Sequence, residues 1–106
     1  MSTRIRRRQG VDDDVARIAL HLLDQSEALA IRFIDAVQVT LKDLARAPRI
    51  GSLKQYESPR LAGVRSWWVR GFRNHLVFYF ATDDGIDVLA VAHGAQDVER
   101  LLYSRV

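Results

Sequence analysis

Two apolar stripes with helical spacing, separated by only three residues, constrain this chain more than anything else in it. In VDDDVARIALHLLDQ, Val11, Val15, Ile18 and Leu22 recur at intervals of four, three and four, which lines one face of a helix. After Asp24, Gln25 and Ser26, the residues Leu29, Phe33, Val37, Leu41 and Leu44 repeat at four, four, four and three. Ser26 is placed to cap that second helix and Pro48 to end it. So short a break folds the helices into a hairpin with both apolar faces directed the same way. Such a hairpin needs something flat to cover.

The flat partner follows a loop of sixteen residues, PRIGSLKQYESPRLAG, long enough to suggest a functional or mobile segment. Three strand-like runs then succeed one another, Val64 to Val69, Asn74 to Thr82 and Ile86 to Ala92. TDDG reads as a tight hairpin between the last two, because Asp-Gly tolerates positive φ, and RGFR as a looser turn between the first two. Thr3 to Gln9 reads as an edge strand ending at Gly10, and Asp97 to Leu102 as a short helix. The order strand, helix, helix, three strands, short helix predicts an α+β fold: a helical hairpin on a small, mostly antiparallel sheet. With 106 residues, 48% of them hydrophobic, one core and one domain over residues 1–106 are expected.

Fourteen of the sixteen basic residues are arginine and the formal net charge is +3. Arginine favours planar, bidentate recognition of carboxylates or phosphates. Absence of cysteine excludes a disulfide framework, a thiolate nucleophile and a thiolate metal site. MSTRIRRRQG carries no apolar run after its charges, so neither a signal peptide nor a membrane span is expected, and the site of action is expected to be the cytoplasm. Asp12, Asp13 and Asp14 fall at a helix start, where carboxylates meet free amides and the positive end of the dipole. Consecutive helical residues diverge, so no metal site is expected there, and no cofactor is expected anywhere.

VDDDVARIALHL, SEALAIRFIDAVQVTLKDLARAPRIG, VRSWWVRGFRNHLVFYF and IDVLAVAHGAQDVERLL, in that order and spacing, resemble the ParE branch of the RelE/ParE toxin superfamily. The resemblance runs from about Arg4 to Leu102, and the ending HGAQDVERLL is similar to the family's His-Gly-Ala-Arg-Asp ending. It implies a toxin of a type II toxin-antitoxin pair that is neutralised by a ParD-like antitoxin and acts on DNA gyrase by binding. The RelE branch instead cuts messenger RNA on the ribosome. A toxin remnant that only binds is the third alternative.

Aligned by the same resemblance, the positions that carry RelE-type chemistry fall here on Ser66, Trp68, His75, Gln96 and Leu102. RNA cleavage by 2′-hydroxyl attack needs a proton carrier and a cation held together. Of the five, only His75 carries a proton near neutral pH, although Tyr103 stands one residue from the expected tyrosine. No catalytic residue is therefore assigned. His21 reads as a half-buried structural residue, and His75 and His93 as hydrogen-bonding residues with no metal between them.

Alternation puts Trp67 and Val69 on one sheet face and Trp68 on the other, so Trp67 is expected under the hairpin. Trp68, near Leu76, Phe78 and Phe80, is expected on an apolar face without a helical layer, open to a partner. The antitoxin-binding candidates are Trp68, Arg65, Arg70 and Arg73. The target-contact candidates are His93, Arg100 and Tyr103. Since no helix shows a basic face suited to a groove, direct sequence-specific DNA binding is not expected, and the arginines are read as a surface for an acidic antitoxin tail.

Overall fold

The computed structural model describes residues 3–106. Its elements are β1 (Arg4–Arg7), α1 (Val11–Leu23), α2 (Glu27–Arg46), β2 (Ser52–Leu53), a 3-10 turn (Pro59–Leu61), β3 (Val64–Val69), β4 (Phe72–Thr82), β5 (Gly85–His93) and α3 (Val98–Tyr103). The strands form one sheet in the order β1-β5-β4-β3-β2. β2, β3, β4 and β5 pair antiparallel, and β1 joins β5 in parallel. This is the expected α+β architecture, with β1 at one edge.

Both helices form where the stripes predict. Ser26 Oγ accepts from the Leu29 amide at 3.2 Å and so caps α2. Phe33, Val37, Leu41 and Leu44 are buried against Val69, Val77, Tyr79, Val88 and Val91 of the sheet, with Trp67 packed beside them. The face assignment of Trp67 therefore holds, and Trp68 points away, 51% exposed.

The opposite face differs from expectation. It is covered, because the segment after α2 is not an empty loop: β2 extends the sheet, and Leu61 of the 3-10 turn packs with Val98 and Leu102 of α3 over Val64, Phe78, Leu89 and Ala92. A segment that lacks periodicity can still bury a single well-placed leucine. Among the described residues, the Trp68 end of this face is left without cover.

TDDG makes the expected tight hairpin, though not through an Asp-Gly loop pair, and the β3–β4 turn is tighter than expected. Thr82 pairs with Gly85, so the β4–β5 loop is Asp83-Asp84, and no described non-glycine residue has positive φ. Gly85 serves a different need: a Cβ there would collide with the Arg4 carbonyl, so glycine lets β1 close on β5. Val69 pairs with Phe72, making Arg70-Gly71 a tight turn, with Gly71 at φ 80°. A register shift between Trp68 and Val69 adds a bulge just before it.

Asp12 and Asp13 stay exposed in the first turn of α1, but Asp14 is 1% exposed. Its carboxylate accepts 2.8 and 2.9 Å hydrogen bonds from the Arg105 guanidinium, and a 3.1 Å bond from the Val91 amide. The helix dipole therefore does not account for Asp14; a partner 91 residues away does. His21, expected half-buried, is exposed.

Candidate functional site

The largest concavity on the Trp68 side is a groove of about 810 Å³ lined by Thr40 and Asp43 of α2, Ile50, the β3 end Trp67, Trp68 and Val69, the turn Arg70 and Gly71, and Arg73. Buried Thr40 fixes its floor. The Thr40 hydroxyl donates to the Ala36 carbonyl at 2.7 Å and accepts from the Arg70 amide at 3.0 Å, tying the β3–β4 turn to α2. The Arg70 guanidinium lies 4.0 Å from Asp43, with both side chains substantially exposed, a pair that contributes little by itself. Arg73 has no carboxylate within ion-pair distance among the described residues. The groove thus combines a large, half-exposed indole with two solvent-facing guanidinium groups, a combination suited to an extended or helical partner that carries an apolar anchor and acidic side chains.

One groove wall is held from the core. The Tyr79 hydroxyl accepts from the Gly51 amide at 2.9 Å and donates to the Pro48 carbonyl at 2.8 Å. Burial raises the Tyr79 phenol above its ordinary value, against the pull of the Gly51 amide and Arg65. Arg65 donates to the carbonyls of Arg49 and Gly51 at 3.0 and 2.7 Å. Of the four antitoxin candidates, Trp68, Arg70 and Arg73 share the groove, while Arg65 is turned to the segment that carries Ile50. Tyr79 escapes sequence reasoning because a strand tyrosine reads as core; the clue is Pro48 and Gly51 closing a helix nearby.

The target-contact candidates divide. Arg100 and Tyr103 line a shallow hollow of about 400 Å³ with Glu57, Asp97 and Glu99. Tyr103 is 51% exposed and carries the Arg60 guanidinium 5.5 Å above its ring. The Glu57 amide donates to Glu99 at 3.2 Å, joining the crossing segment to α3. Burial first, then the Glu99 charge, raises the Tyr56 phenol above its ordinary value. His93 lies elsewhere, directly across from His75 on β4, with ring centroids 5.4 Å apart, and its Nδ1 accepts from the Ala95 amide at 3.0 Å.

His75 packs edge-on to Phe33 at 5.2 Å, and its buried Nδ1 has no hydrogen-bond partner. Burial, then the neighbouring His93 and His21, hold its pKa below the ordinary imidazole value. The sequence does not announce this pairing, since eighteen residues separate the two histidines. Among the described residues no group of three or more His, Cys, Asp or Glu side chains is arranged to hold a metal ion.

The five positions aligned to ribonuclease chemistry do not converge. His75 packs on the hairpin face against Phe33, whereas Ser66 and Trp68 alternate onto the other face with Val64. Leu102 is 0% exposed in that second core, and Ser66 is 7% exposed. Gln96 is exposed beyond the end of β5. The sheet lies between the His75 imidazole and the face that carries Ser66, Trp68 and Leu102.

The family model described as ParE toxin of type II toxin-antitoxin system, parDE, matches residues 5–98. Two relatives named Toxin ParE2, from Mycobacterium tuberculosis strains CDC 1551 / Oshkosh and ATCC 25618 / H37Rv, are each 33% identical to the chain over 101 residues. Each alignment covers 92% of this chain and 87% of the relative. With the fold, the order of motifs and a match that spans almost every element, the chain belongs to the ParE toxin family of type II toxin-antitoxin systems.

Proposed function

We propose that this chain is a toxin that acts by binding. A ParD-like antitoxin occupies the Trp68 groove and neutralises it, and the α3 segment carries the contact with its target, DNA gyrase. The observation that carries the antitoxin assignment is Trp68 itself, 51% exposed at the rim of a groove it shares with Arg70 and Arg73. A free protein gains nothing from a half-exposed indole, whereas an interface gains a central anchor. Arg65 contributes from within by fixing the carbonyls of Arg49 and Gly51. The gyrase assignment rests on membership of the ParE family together with Arg100 and Tyr103, which present a guanidinium and a phenol side by side on one surface.

Action without chemistry is supported by the placement of His75 and Ser66 on opposite sheet faces and by the burial of Leu102. No proton carrier and cation meet at one phosphate-sized site among those positions. The protein acts in the cytoplasm, and no described helix is long and apolar enough to cross a membrane.

Induction of the protein alone in a bacterium, with DNA synthesis and protein synthesis followed separately, tests the reading. Early arrest of DNA synthesis with gyrase-trapped breaks is expected. Early arrest of translation with cut messages would refute it in favour of a ribonuclease, and normal growth would mark a binding remnant.

A further inference from the structure

The Asp14–Arg105 pair joins the first helix to the segment that follows α3. Arg105 follows α3 and donates to both Asp14 carboxylate oxygens, at 2.8 and 2.9 Å, and to the Leu89 carbonyl of β5 at 2.9 Å. Arg8, just beyond β1, donates to the Arg105 carbonyl at 3.2 Å and is itself paired with Asp87 of β5 at 2.9 Å. Room for the guanidinium comes from Gly10, where a Cβ would stand 2.5 Å from the Arg105 Cζ. The hydrogen bonds to Asp14, against the opposing effect of burial, raise the Arg105 pKa above its ordinary value. A carboxylate 1% exposed, a side chain 13% exposed and a glycine that makes space for them constitute a built contact, not a surface encounter.

What this contact holds is α3. Six residues are too few for a helix to stand alone. Only Val98 and Leu102 of α3 are buried, and Asp97 at its start makes no side-chain capping bond. Its start is held by buried Val98 and the Glu57–Glu99 hydrogen bond without a side-chain cap, and its end is followed by the residue that reaches Asp14. Arg100 and Tyr103, which project from this helix, inherit their positions from that fastening.

Resting on the target-contact role proposed above for α3, we propose that Asp14 and Arg105 are positioning residues, a latch that holds α3 in its target-binding position while touching neither target nor antitoxin. The antitoxin groove is built on α2, β3 and the β3–β4 turn, apart from the latch. Breaking the latch therefore separates two properties that general destabilisation would reduce together.

The test uses the whole chain with the double substitution Asp14→Asn and Arg105→Gln, which removes both charges at once and leaves no bare buried carboxylate. Asp14→Asn alone serves as a second variant, since its amide oxygen still accepts from the Val91 amide. Hydrogen exchange of residues 98–103 is expected to accelerate by roughly tenfold or more, with α2 and β3–β4 protection unchanged. Growth arrest is expected to require about tenfold more toxin, while affinity for the purified antitoxin encoded with it changes by less than about threefold. Exchange that does not change would refute the latch, and faster α3 exchange with full toxicity would refute its positioning role. Equal losses of toxicity and antitoxin affinity would reduce it to a structural pair. Failure of the underlying reading looks different: the unsubstituted protein would then arrest translation or nothing at all.

Discussion

Trp68→Ala is the perturbation that weighs most on the binding reading, and its size follows from exposure. A tryptophan presents about 250 Å² to burial, of which Trp68 leaves roughly half to solvent, being 51% exposed. Covering about 125 Å² at 25 cal/mol per Å² is worth about 3 kcal/mol, or about 150-fold in Kd. Loss of that order is expected when the variant is titrated calorimetrically with the antitoxin. The half already against the protein is at the uncovered end of the sheet, so the folding cost is expected to stay near 1 kcal/mol in urea denaturation. Trp67→Ala provides the contrast. Its ring packs against the Phe33 and Val69 core under the hairpin, and its removal is expected to cost about 3 kcal/mol of stability. A Trp68→Ala protein that is folded and binds the antitoxin within threefold of the original would refute the assignment of the groove, whatever the behaviour of Trp67.

Three further perturbations probe the frame around the site. Tyr79→Phe strands the Gly51 amide and Pro48 carbonyl and is expected to cost about 2 kcal/mol in urea denaturation; a loss below 0.5 kcal/mol would mean that water replaces the hydroxyl. Ser26→Ala removes the side-chain cap of α2 and is expected to cost about 1 kcal/mol, read as a lower urea midpoint at constant slope. His75 has a folded pKa depressed below its unfolded value, so the unfolded state binds the extra proton first. Stability is therefore full above about pH 6.5 and declines as pH falls below it and through the depressed folded pKa. His75→Phe is expected to flatten that acid limb, and an unchanged pH profile of the urea midpoint would disprove the assignment.

The helices and central strands were legible because their signals are local. The α2 stripe, its Ser26 cap and the Pro48 stop all lie within one segment, and the alternation in Val64 to Val69 is enough to tell Trp67 from Trp68. Features that depend on distant partners were not legible. Asp14 looks like its neighbours Asp12 and Asp13, and only Arg105 makes it different. Leu61 looks like a loop residue, and only Val98 and Leu102 reveal that it closes the second core. In the candidate site, Trp68, Arg70 and Arg73 were readable as one surface. The inward role of Arg65 was not, because its carbonyl acceptors at Arg49 and Gly51 carry no side-chain signal. His93 was grouped with Arg100 and Tyr103 by proximity in sequence, but strand pairing places it against His75.

The parallel pairing of β1 with β5 has a consequence for synthesis. Arg4 waits for Gly85 to gain its neighbour, and Asp14 waits for Arg105. A ribosome adding about 5–20 residues per second therefore releases the first helices for seconds before the sheet edge or the ion pair can exist. During that interval the hairpin can form, since its contacts are local, but β1 has no strand to join and the Asp14 carboxylate has no guanidinium to receive. The first helix is thus made with a carboxylate whose burial is settled only when residue 105 arrives.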